Sequence, residues 1–128
     1  MSTPHKTHSP AFLALVNDAK SRVKEIGIAE YKSLSSADRI LIDVREDHEW
    51  AAGHAAGAMH LSKGIIERDI ETKIPDKSAK LVLYCGGGYR SALTAEALGK
   101  MGYTNAISLD GGWRAWNEAG LPVERDGV

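Results

Sequence analysis

Short apolar runs that do not alternate with polar residues constrain this chain most. Ile40-Leu41-Ile42-Asp43-Val44, Leu81-Val82-Leu83-Tyr84 and Ala106-Ile107-Ser108-Leu109 are four or five residues long, too short for core helices. A strand apolar at successive positions has both faces buried, and such strands belong to parallel sheets covered by helices on both sides. The segments between them read as that cover. Ser9-Pro10 suits the N-cap and first position of a helix with apolar residues Phe12, Leu15, Val16, Ala19 and Val23 at helical spacing. Further helical segments are expected over 29–35, 91 to about 101, and 112–118, with a helical turn over 47–52, a helix or ordered loop over 64–72, and additional strands over 26–28 and 58–61. The pattern predicts an α/β fold with a parallel sheet between helical layers.

At 128 residues the chain supplies one domain, able to bury roughly two-thirds of its unfolded surface in a single core. The organisation read from the sequence is a flexible tail over 1–9, an extra helix over 10–25, and the main domain over 26–128. Lys and Arg number 16 against 17 Asp and Glu, which points to neither a nucleic-acid surface nor an acidic tail. His5 and His8 are read as solvated tail residues. The run Ala11–Val16 is too short for a membrane span or a signal sequence, so a reducing cytoplasm is the expected setting. One cysteine leaves no internal disulfide and no cysteine-based metal site, and no metal or cofactor is expected.

That cysteine, Cys85, heads Cys85-Gly86-Gly87-Gly88-Tyr89-Arg90-Ser91, between a strand and a helix. Helix N-termini present unpartnered N–H groups and a partial positive charge, so they hold anions well, a thiolate included. Three glycines let a backbone of inward-pointing amides come close to a ligand. Ser91 suits the helix N-cap, and Arg90 offers a planar pair of donors to an oxyanion such as a sulfonate. Two readings of Cys85 stand at this level: an activated nucleophile, or a small buried hydrophobe beside a flexible turn. Asp43 and Arg45 at a neighbouring strand end either order this loop or form an ion pair that serves the fold alone. His54, Trp113 and Trp116 read as structural, and Arg68 as part of a solvated face.

Three segments together resemble rhodanese-like sulfurtransferases: Asp43-Val44-Arg45 with Glu49-Trp50, Gly53-His54 and Gly57-Ala58; Cys85-x-x-Gly88-x-Arg90-Ser91; and Leu109-Asp110-Gly111-Gly112-Trp113 with Trp116 and Gly120-Leu121-Pro122. The resemblance covers about residues 26 to 123. It implies a single-domain, three-layer α/β sandwich around a five-stranded parallel sheet, and a persulfide carried on Cys85. It further implies a small anionic sulfur donor such as thiosulfate and a thiol or cyanide acceptor, with a protein donor or acceptor as the alternative. Cysteine phosphatases and arsenate reductases also cradle an anion over a cysteine. Their loop has one residue more than the four that separate Cys85 from Arg90. A sulfur carrier or a regulatory module on the same fold are the remaining alternatives.

Overall fold

The computed structural model describes residues 8–125. Helix α1 (Pro10–Lys20) starts where Ser9 accepts the Phe12 N–H at 3.1 Å, with Pro10 in the first turn. The chain continues through β1 (Lys24–Ile26), α2 (Ile28–Ser33), a 3-10 turn (Ser36–Asp38), β2 (Ile40–Asp43), α3 (Asp47–Ala52), β3 (His54–Ala55) and β4 (Met59–His60). It ends with α4 (Ile66–Lys73), β5 (Leu81–Tyr84), α5 (Tyr89–Lys100), β6 (Ala106–Leu109), α6 (Gly112–Glu118) and β7 (Val123–Glu124). Five strands form one parallel sheet in the order β1-β6-β5-β2-β4, as the apolar runs predict.

Successive residues of β5 show why those runs do not alternate. Leu81 and Leu83 join a cluster with Ile66 and Ile70 of α4 and Leu98 of α5, while Val82 and Tyr84 join Tyr31 of α2 and Trp116 of α6 on the other face. Both faces of the central strand are therefore dry, and the sheet lies between two helical layers. Helix α1 packs outside this sandwich on α5, burying Val16 and Ala19. Arg22 ties it there, paired with Asp18 and with Glu96 of α5.

Several sequence expectations are corrected. The N-terminal helix ends at Lys20 rather than residue 25, because Lys24–Ile26 is drawn into the sheet as an edge strand beside β6. The strand expected over 26–28 is therefore displaced, and Ile28 opens α2 instead. The antiparallel pair β3–β7, joining His54 to Glu124 and Ala55 to Val123, has no counterpart in the sequence reading, since two-residue strands carry no periodicity. His8 is not simply solvated: its ring lies 5.1 Å from Phe12 and 5.0 Å from Tyr89. The tail over 1–9 otherwise falls mostly outside the described residues. Among the described residues no helix is long and apolar enough to cross a membrane.

Candidate active site

Strand β5 delivers Cys85 to the carboxyl edge of the sheet, where ligands of open α/β folds bind. The chain reverses at Gly88, whose φ of 103° only glycine adopts readily, and α5 begins at Tyr89. The N-cap is thus Gly88, not Ser91, which lies inside the first turn and is fully buried. This arrangement aims main-chain donors inward. The Gly88 N–H donates to Cys85 Sγ at 3.1 Å and the Ser91 N–H at 3.4 Å. The thiol itself donates to Ser91 Oγ at 3.6 Å, and that hydroxyl pairs with Ser108 Oγ at 2.8 Å. Cys85 is 1% exposed, so protein groups rather than water solvate its sulfur.

The loop is also held from outside. The Trp113 N–H donates to Cys85 O at 2.7 Å and the Arg114 N–H to Gly86 O at 3.1 Å, so the start of α6 is pinned to the loop. The approach leaves no room for a side chain at Gly112, where a methyl would stand 2.2 Å from Cys85 O. This support is missed in the sequence reading, which gives Trp113 only a core role. Main-chain donors carry no side-chain signature; the signal available was the adjacent pair Gly111-Gly112.

Arg90 projects from the first turn of α5 into a two-pronged ion pair with Glu49 of α3, Nη1 to Oε1 at 2.7 Å and Nη2 to Oε2 at 3.1 Å. A cation at a helix start needs an anion nearby, and Glu49 is that anion. Glu49 is a site residue that sequence reading missed. It enters only as a motif position, because its partner is 41 residues away. The Arg90 guanidinium holds the Glu49 carboxyl down to about 2, against 4.5 for a free side chain, and Glu49 in turn raises Arg90. A depressed carboxyl stabilises the fold above its unfolded value and loses that contribution as pH falls through its folded value. Thermal stability is therefore expected to decline between pH 4.5 and about 2, less steeply in Glu49→Gln, as followed by melting temperature in acid buffers. Equal slopes in the two proteins would show that this pair carries none of the decline.

Asp43 and Arg45 are buried and bonded to each other, Arg45 Nη2 to Asp43 Oδ2 at 2.8 Å. Arg45 also donates to Gly53 O at 2.7 Å, and the Tyr84 hydroxyl donates to Asp43 Oδ2 at 2.6 Å while accepting the Ala55 N–H. Burial and the Asp43 carboxylate push the Tyr84 hydroxyl well above its ordinary value. This network joins β2, β5 and the α3–β3 corner, and satisfies each charge it buries. It reaches the cysteine loop at one remove: the Arg45 guanidinium lies 4.6 Å from the Trp113 ring, and Trp113 bonds Cys85. Tyr89 packs outward against His8 and Phe12, with Lys20 Nζ 5.1 Å from its ring centre. Arg68 pairs with its neighbour Asp69 on the surface, as a solvated face implies. His54 is buried, its ring stacked on Trp50 with centroids 3.4 Å apart. A cavity of about 610 Å³ opens beside the loop, lined by Val44, Glu46, Asp47, Lys63 and Arg90 among others.

Known proteins resemble this chain in sequence and in fold. A model of the Rhodanese-like domain family matches residues 28–119. A putative sulfurtransferase, YtwF of Bacillus subtilis, is 38% identical over 73% of this chain and 90% of its own length. The thiosulfate sulfurtransferase GlpE of Pseudomonas entomophila is 31% identical over 75% of this chain and 86% of its own. A Rhodopseudomonas palustris protein of unknown function, described as a possible tyrosine phosphatase, superimposes with a TM-score of 0.77 at 29% identity, covering 95% of this chain and all of its own. With the five-stranded parallel sheet and a cysteine loop at its carboxyl edge in place, these matches show that the chain belongs to the rhodanese-like family of sulfurtransferases.

Proposed function

We propose that this protein moves sulfane sulfur from a small donor, thiosulfate or a persulfide, to cyanide or a thiol acceptor by way of a persulfide on Cys85. The observation that carries the reading is the convergence of the Gly88 and Ser91 N–H groups on Cys85 Sγ. A thiolate attacks the outer sulfur of thiosulfate, the sulfur–sulfur bond of the donor breaks, and sulfite leaves with the electron pair. Charge is conserved, and no proton has to be removed from the donor, so the loop works without a general base. The terminal persulfide sulfur inherits the negative charge and lies within the same loop of amides, with Gly86, Gly87 and Tyr89 completing the enclosure. The acceptor then attacks that outer sulfur and the Cys85 thiolate departs. Because Cys85 is the chain's only cysteine, the sulfur must pass to an external acceptor, a small thiol or a partner protein. A free thiol of this kind suits a reducing compartment, and we take the cytoplasm as its setting.

Phosphatase chemistry is less well supported. The interval between Cys85 and Arg90 is one residue short of the phosphatase loop, and the Arg90 guanidinium spends both prongs on a carboxylate. Initial rates with thiosulfate and cyanide varied together test the reading. A double displacement gives parallel double-reciprocal lines. Intersecting lines, or faster hydrolysis of p-nitrophenyl phosphate than sulfur transfer, would contradict it.

A further inference from the structure

We propose that Glu49 sets the charge of the sulfur donor, selecting monoanionic sulfane donors over the dianion thiosulfate by occupying Arg90. The inference rests on the sulfur-transfer reading and refines its substrate class.

Glu49 is not a mobile surface acid that happens to meet an arginine. Its Oε1 also accepts the Glu46 N–H at 3.1 Å, closing a capping box at the start of α3, so its carboxylate is anchored from its own helix as well as by Arg90. The pair stands at the loop: a methyl built on Gly86 would lie 3.4 Å from Arg90 Nη2. It also stands between two cavities, Arg90 lining one of about 610 Å³ and Glu49 another of about 300 Å³, with His48 on both. A donor approaching this side of the loop meets a guanidinium whose two prongs are already engaged. The surrounding charges do not compensate. Glu46 and Asp47 match Lys63 and Arg90 in the larger cavity and Glu49 matches Arg45 in the smaller, so no net positive charge is left over to attract a dianion.

A donor dianion must therefore either break a carboxylate out of three hydrogen bonds or lie beside that carboxylate with Arg90 already neutralised. Either cost grows with donor charge, so removing one negative charge from the donor relieves it. A persulfide or another monoanion keeps the same outer sulfur with less repulsion.

Thiosulfate and methanethiosulfonate form a matched pair for the test, differing by one charge at the group distal to the transferred sulfur. With thiosulfate, Cys85 thiolate takes the outer sulfur and sulfite leaves. With methanethiosulfonate, the same bond breaks and methanesulfinate leaves, the summed charge being unchanged in each case. The measurement is kcat/KM for both donors at pH 8 with cyanide as acceptor. In Glu49→Gln, thiosulfate is expected to gain about tenfold, the effect of one charge at a partly exposed site, while methanethiosulfonate changes less than about threefold. Equal changes for both donors, or a loss for thiosulfate alone, would overturn the assignment and leave Glu49 as a support for the loop. The unmutated protein provides a second reading should the variant fold poorly. The thiosulfate to methanethiosulfonate ratio is expected to rise with added salt, as repulsion is screened. A ratio that falls with salt would mean that Arg90 attracts the dianion and would equally overturn the proposal. If the unmutated protein takes sulfur from neither donor, the underlying sulfur-transfer reading fails as well; if it uses both, only the selectivity is at stake.

Discussion

Gly112→Ala is expected to destabilise the protein by about 3 kcal/mol and to remove most sulfur transfer even where the protein remains folded. Two costs combine at this position. Its φ of 47° lies in the left-handed region, which a side chain adopts only with strain of about 1–2 kcal/mol. The added methyl would also stand 2.2 Å from Cys85 O, a contact relieved only by moving α6 or the loop, and overpacking of this kind costs about 1–3 kcal/mol. In a domain of this size 3 kcal/mol corresponds to a melting temperature lower by about 10 °C. The movement that relieves the clash also lengthens the Trp113 N–H to Cys85 O bond, so the loop loses its outer support. Gly87→Ala is the matching control, because nothing lies within 4 Å of a methyl there and the residue is exposed. If the two variants melt alike, α6 does not support the loop.

Cys85→Ser is expected to lower sulfur transfer by on the order of 10³-fold or more, to the background of the uncatalysed reaction, while leaving the fold in place. Serine keeps an acceptor for the Gly88 and Ser91 N–H groups and nearly the same volume, so the buried donors stay satisfied. What it lacks is a nucleophile that ionises near neutral pH, and among the described residues no base bonds the sulfur to make one: its partners are the Gly88 and Ser91 N–H groups and the Ser91 hydroxyl, which pairs in turn with Ser108. Residual turnover near that of the parent, with an unchanged melting curve, would mean that sulfur passes directly from donor to acceptor without the cysteine.

The sheet was legible because its strands are buried on both faces, and residues such as Leu81 to Tyr84 therefore show unbroken apolar character. The cysteine loop was legible for a related reason: a thiol, three glycines and an arginine between a strand and a helix have few structural uses in combination. What sequence concealed was tertiary. Ser91 reads as an N-cap by residue type, yet the backbone reverses at Gly88, and the serine turns inward to Ser108 on β6. Glu49 looks like one of several acids at the start of a short helix until folding brings Arg90 to it. Lys24 and Glu25 continue the helix locally, yet with Ile26 they gain a strand partner, Ile107–Leu109, some eighty residues later. In each case the deciding partner is distant in the chain, and local propensity has no term for it.

The most direct test of the covalent pathway is the intact mass of the protein after brief incubation with a sulfane donor and removal of the excess. A gain of one sulfur atom is expected, located on the peptide containing Cys85, discharged by cyanide and absent in Cys85→Ser. An unchanged mass in the parent under conditions that support steady turnover, or a gain that persists in Cys85→Ser, would contradict a Cys85 persulfide.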